Sequence, residues 1–262
     1  MKREMVLVSL VVVGFCASSV LALTPMGPTT PSLKKGQWAF GADYSDVDMK
    51  LSRSAISGSF ADPDYRSLMH MDLDINLYSV VVRRGITDSW EASARIGFAD
   101  MEYERPGGDG EWKGDDEDFT LGLGTKATVW EQTPALKWGI LGQVNWAEFG
   151  GGRENPSASY PIGKFEIEYT EWQIAVGPTW TPPEWDWLTV YGGVFYHDVD
   201  GYHTFWHEGD YREYPLRERD DLGLYVGGQA AVSESLTVNV EYMDTDEANA
   251  FVVGVLWIPS GV

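Results

Sequence analysis

Three histidines and four carboxylates lie close together in one stretch, His197-Asp198-Val199-Asp200-Gly201-Tyr202-His203, followed by His207-Glu208-Gly209-Asp210. Imidazole with carboxylate suits a divalent transition ion. His203 and His207 are four apart, the spacing that aligns two ligands on a helix. Gly201 and Gly209 argue against a helix there, so the stretch reads as a hydrated loop and His197, His203 and His207 as weak metal candidates only. The run Asp115-Asp116-Glu117-Asp118 reads in the same way, as a solvated rim with loose calcium binding as its chemical alternative. A second set of chemically capable residues is spread along the chain at strand spacing. Arg84, Glu91, Arg95, Lys126, Glu171 and Glu241, with Gln143, Asn239, Asp72 and Asp74, recur on the polar side of alternating segments. Charges of both signs on one face of a sheet must pair or be hydrated.

The elements that would position them are strands. In Gly85–Phe98, Trp90, Ala92, Ala94, Ile96 and Phe98 occupy every second position, with Glu91, Ser93 and Arg95 between them. A period of two places side chains on opposite faces in turn. Ten segments of this kind are predicted, at 37–50, 71–84, 89–103, 118–130, 136–149, 164–178, 187–198, 222–232, 236–243 and 249–258. Short connections at 85–88, 131–134, 181–184 and 233–235 alternate with long ones at 51–70, 104–117, 150–163 and 199–221. The segment 164–178 carries Phe165, Ile167 and Tyr169 on one parity and Trp172, Ile174 and Val176 on the other, which predicts a bulge near Thr170.

The first residues, MKREMVLVSLVVVGFCASSVLA, have a basic start, an apolar run and a small-residue end. That is the layout of a signal peptide, 1–22, cleaved after Ala22. The only cysteine, Cys16, leaves with it, which excludes disulfides and cysteine-built zinc sites. Residues 23–35 read as a Pro-rich periplasmic linker and 36–262 as one β-domain. With 19 basic against 40 acidic residues and a net charge of −21, the chain has no basic face for nucleic acid.

Tryptophan decides which way the apolar faces look. Trp38, Trp90, Trp130, Trp138, Trp180, Trp185, Trp187 and Trp257 lie at the short-turn ends, as expected of indole rings at headgroup level. The apolar faces are therefore predicted to face lipid and the polar faces a lumen.

On these residues and the turn GITDSWE, the sequence resembles bacterial outer-membrane β-barrel proteins of the small porin-like or surface-antigen type. The resemblance implies an all-β, up-and-down transmembrane barrel of about ten strands in the outer membrane, with outer-membrane lipid and the barrel assembly machinery as partners. Many such barrels end on an aromatic residue that the assembly machinery reads, whereas this chain continues past Trp257 to Val262. Ten strands also resemble the omptin proteases, whose aspartate pair Asp72-Leu73-Asp74 would imitate. Their Asp-x-His element is missing, because Phe195 precedes His197 and Gly201 precedes His203 at that spacing. The reading is thus a non-enzymatic barrel without cofactor, its lumen plugged by the charges named above and its acidic loops structural or surface-interactive. A narrow cation-preferring pore for ions or small solutes is the alternative, and an outer-membrane hydrolase a remote one.

Overall fold

The computed structural model describes residues 24–53, 69–104, 111–114, 118–153, 164–207, 210–217 and 222–259. They form twelve strands in one antiparallel sheet: β1 Trp38–Arg53, β2 Met69–Thr87, β3 Trp90–Glu104, β4 Glu111–Gly114, β5 Phe119–Thr133, β6 Leu136–Arg153, β7 Lys164–Trp180, β8 Leu188–His207, β9 Asp210–Arg217, β10 Leu222–Ala231, β11 Leu236–Thr245 and β12 Ala248–Trp257. β4 and β5 share one place in the wall, both lying between β3 and β6. β9 and β10 share another beside β8. β12 pairs with β1 and closes a ten-strand barrel, so the sheet has no free edge at that level.

The stretch 199–221, expected to be a loop, is largely sheet: β8 runs on to His207 and β9 returns from Asp210. β4 likewise lies within the expected loop 104–117. The Asp115–Asp118 run falls outside the described residues except for Asp118, which accepts the Gly150 N–H at 2.8 Å.

The wall has two zones, divided at one level. In the zone next to the short turns, apolar side chains point outward: Phe40, Tyr78, Val80, Ile96, Phe98, Leu121, Leu123, Ile140, Ile174 and Val194 are all exposed. About five alternate positions per strand are covered in this way. That matches the roughly 9–11 tilted residues that cross a hydrocarbon core. Beyond this band the faces exchange roles. Val47, Met49, Leu51, Leu73, Ile75, Met101, Phe149, Phe165 and Ile167 point inward and are fully buried. Asp46, Asp48, Asp74, Asp100, Glu148 and Glu168 now point outward. Parity along the strands is unbroken across this level, the register shifts of β2 and β5 lying at the short-turn end; only the solvent on the outer side changes, from lipid to water.

This exchange corrects the bulge predicted near Thr170. The pairing of β7 with β6 and with β8 runs without a shift through Trp146↔Thr170↔Asp200. Phe165, Ile167 and Tyr169 fill the interior of the collar, and Trp172 and Ile174 lie exposed on the outer apolar band below it. It also corrects Asp72 and Asp74, which point outward from the collar rather than into the lumen. The aspartate pair therefore does not line the bore.

The barrel narrows as it rises. β11 and β12 have ten residues each, against 20 in β8. Above their turn, where the Lys50 backbone N–H donates to the Glu247 carbonyl at 2.8 Å, β9 pairs with β1 through Ser52↔Arg217 and Arg53↔Leu216. The collar is thus closed by eight strand positions over a ten-strand base. Eight strands enclose just the space that side chains fill, and the buried Met, Leu, Ile and Phe residues fill it. Ten strands leave a bore too wide for their own side chains.

A segment of the chain occupies that bore. Residues 24–33 are largely buried, with Met26 3% and Thr29 0% exposed. This differs from the periplasmic linker expected over 23–35: the Pro-rich stretch lies inside the barrel. It emerges at Lys34 and turns at Gly36, whose N–H donates to the Gly85 carbonyl at 2.7 Å.

Candidate functional site: the occupied lumen

Glu91, from β3, stands opposite Lys126 of β5, and their side chains pair at 3.2 Å. The Arg83 guanidinium lies 4.0 Å away on the other side. The same carboxylate accepts the N–H groups of Ser32, at 3.0 Å, and Leu33, at 3.2 Å. One side chain thus balances two cations of the wall and holds one end of the inner segment.

Glu171, on β7, accepts the Thr24 hydroxyl at 2.6 Å and the Thr24 N–H at 3.3 Å. Around it lie His197 Nε2 at 3.1 Å, Asn145 Nδ2 at 3.3 Å and the Gln173 amide. The register places these partners, because Asn145 is opposite Glu171 and Gln143 opposite Gln173, itself opposite His197. Gln143 completes the set by donating to the Thr24 carbonyl at 3.0 Å.

Glu241, on β11, accepts the N–H groups of Met26, at 2.9 Å, and Gly27, at 2.7 Å. Gly27 has φ +69°, a backbone conformation that only glycine adopts without strain. Arg95 pairs with Asp43 at 3.3 Å and donates to the Pro25 carbonyl at 2.9 Å. Thr29 donates its hydroxyl to the Gly177 carbonyl at 3.0 Å. A Cβ at Gly139 would stand 2.4 Å from the Thr29 carbonyl oxygen, so the wall there is shaped for the segment. Three carboxylates from separate parts of the wall hold backbone N–H groups of one irregular thread, and charge-assisted bonds of this kind are roughly twice as strong as neutral ones.

Of the residues singled out in the sequence, Glu91, Arg95, Lys126, Glu171 and Glu241 line this site together, with Gln143 and Asn239. Arg84 does not. It points outward and lies over the Trp38 ring at 4.8 Å, a cation–π contact at the membrane edge. The inward cation is its neighbour Arg83, because Val81, and not Val80 or Val82, faces the bore. Asp43 and the whole 24–33 thread were also absent from the expected set.

His197 and His203 both point inward, yet six residues along an extended strand separates them by roughly 20 Å. They cannot share an ion. His203 lies in the collar beside Phe165 and Tyr214, and the His207 side chain lies outside the described residues.

The tryptophans of the short-turn end lie on the outer surface. Trp90, Trp130, Trp180, Trp185 and Trp257 are about half exposed, and Trp38, Trp138 and Trp187 less so. Trp130 stacks on Trp138, and Phe40 lies against Trp257. A second aromatic ring, unforeseen, marks the opposite edge of the apolar band: Tyr44, Tyr78, Phe98, Trp146, Trp172 and Tyr196. This ring gives no single-residue signal in the sequence because it mixes Tyr, Phe and Trp, whereas the lower ring is mostly Trp.

Outside the upper ring the carboxylates crowd one another. Asp48 is opposite Asp74, which is opposite Glu102. Partial burial, a hydrogen bond to Asp74 and the charges of Asp74 and Asp72 raise the Asp48 carboxyl to about 7. Glu166 is also raised, by burial and by Glu148 and Glu168. Between about pH 4 and 7 the folded protein therefore holds a proton on Asp48 that the unfolded chain has released, and stability falls as pH rises through that window. Asp48→Asn is expected to raise the urea midpoint at pH 8 and leave it unchanged near pH 4. An equal effect at both values would rule this out.

No protein-family model and no curated protein matches the sequence. Among solved structures, the fold is similar to the outer membrane protease OmpT from Escherichia coli, with a TM-score of 0.53 and 9% identity over 88% of this chain and 99% of that one. It is also similar to the translocator domain of the autotransporter NalP from Neisseria meningitidis, with a TM-score of 0.50 and 12% identity over 86% of this chain and 89% of that one. At such identity the likeness is one of fold, and the lipid-facing band and closed sheet agree with it: the chain is a ten-strand outer-membrane β-barrel.

Proposed function

We propose that the protein is a closed outer-membrane barrel whose role is structural or surface-interactive, with the acidic collar as the surface it presents. The observation that supports this reading is the filled interior. Residues 24–33 occupy the wide part of the bore through Glu91, Glu171 and Glu241. The apolar side chains of the eight-strand collar stand in series above them. An ion crossing the barrel would have to displace the thread and then enter a buried stack of Met, Leu, Ile and Phe, where an unpaired charge is costly.

The alternative, a narrow cation-preferring channel, draws on the bore's carboxylates, which would favour cations if the thread withdrew. Conductance of the refolded chain in planar bilayers separates the two. Silence from a sample that shows heat-modifiable migration on gels is the expected result. Steady cation-selective current would overturn the closed reading.

A further inference from the structure

The outer apolar band is not evenly filled. Where β12, β1, β2 and β3 lie side by side, the register lines up Tyr44, Tyr78 and Phe98 in one row. The next row towards the short turns is Val255, Ala42, Val80 and Ile96. Ala42 brings only a methyl group to that row, and large side chains return one row further on, where Phe40 lies against Trp257. The result is an outward-facing cleft of about 500 Å³, floored by Ala42, Val80 and Val255 and bounded by Tyr44, Tyr78 and Phe98. Small-molecule sites occupy roughly 300–1,000 Å³. On the collar side the chemistry changes at once, because the next outward row is Asp46, Asn76 and Asp100. Asn76 accepts the Tyr44 hydroxyl through its Oδ1 at 2.6 Å, which leaves its amide nitrogen as the donor. Burial and the charge of Asp74 push the Asp46 carboxyl up.

We infer that this cleft binds one acyl chain of a zwitterionic phospholipid whose primary ammonium meets Asp46 and Asp100. The place of the cleft names the first half of the occupant. It opens within the band that faces hydrocarbon, so what enters it is a lipid tail and not a water-soluble ligand. A tail that leaves the bulk bilayer gains no hydrophobic energy, and its hold is dispersion against the walls of the cleft. Charge complementarity names the second half. Asp46 is two residues beyond Tyr44, roughly 7 Å along the strand, and a headgroup layer is roughly 5–8 Å deep. A tail seated on Ala42 thus brings its headgroup to the height of Asp46 and Asp100. Carboxylates there attract an ammonium and repel a headgroup of net negative charge, while the Asn76 amide can donate to a phosphate or ester oxygen.

The test is native mass spectrometry of the detergent-purified barrel, mixed with equal amounts of phosphatidylethanolamine and phosphatidylglycerol carrying the same acyl chains. One phosphatidylethanolamine should stay bound per barrel, with the anionic lipid held roughly fivefold more weakly, the scale of two exposed ion pairs. Ala42→Phe fills the cleft and should lower retention of either lipid roughly tenfold, the loss of several methylene contacts. Val80→Trp fills it from the neighbouring strand and should do the same. Ile174→Phe, equally exposed in the apolar band but on the opposite wall, should change nothing. Asp46→Asn combined with Asp100→Asn should keep the lipid and erase the preference for ethanolamine. Heat-modifiable migration on gels checks that each variant is folded. A wild-type barrel that retains no lipid overturns the inference. So does equal retention of the two lipids, or a loss with Ile174→Phe as large as that with the two cleft variants.

Discussion

Glu91→Ala is expected to destabilise the refolded barrel by about 3–5 kcal/mol, the cost of leaving a buried charge without its partner. The side chain is 1% exposed and balances Lys126 and Arg83 while accepting two backbone N–H groups of the thread. Its loss strands two cations and frees the thread near Leu33. The comparison variant is Glu131→Ala, which removes the partner of Lys137 at 2.7 Å on the short-turn surface. An exposed pair is worth about 0–1 kcal/mol. Urea titrations of both variants in one detergent check the contrast, and similar midpoints would mean that the bore is hydrated enough to solvate Lys126 and Arg83 unaided.

Ile96→Arg and Asp100→Arg should differ sharply although the two residues share a strand and a face. Ile96 is 51% exposed within the apolar band, where an arginine facing lipid costs roughly 2–4 kcal/mol near the midplane. Asp100 points outward from the collar, opposite Asn76 of β2, and is exposed, so an arginine there reaches solvent. Folding yield into lipid vesicles should drop for the first and hold for the second. Equal losses would place Asp100 in lipid and erase the boundary between the zones. Ala99, which sequence parity alone suggests as a tolerant inward site for arginine, is no such control: it is 8% exposed within the apolar core.

All ten wall positions were legible in the sequence, because alternation survives whichever side is wet. The outward direction was legible wherever an apolar stripe ended in tryptophan. What alternation cannot show is the level at which lipid gives way to water. Tyr169 and Trp172 look like a broken period, yet they are one unbroken period crossing that level. In β2 the run Val80-Val81-Val82 hides parity altogether, which is how Arg84 was preferred to Arg83. The thread was illegible for a different reason. Its hold on Glu171, Glu241 and Glu91 is mostly through backbone N–H groups, so a Pro-rich stretch without periodicity carried no side-chain signature of its binding.

The exchange of faces at a single height gives the molecule a fixed draught, as a hull has. Raising the barrel by two residues along its strands would lift Tyr78 and Phe98 into water, and lowering it would drag Asp46, Asp100 and Glu148 into hydrocarbon. A barrel with a uniform outer face can meet a thicker or thinner bilayer by sliding or tilting. This one meets a mismatch by deforming the lipid around it, at fractions of a kcal/mol per ångström.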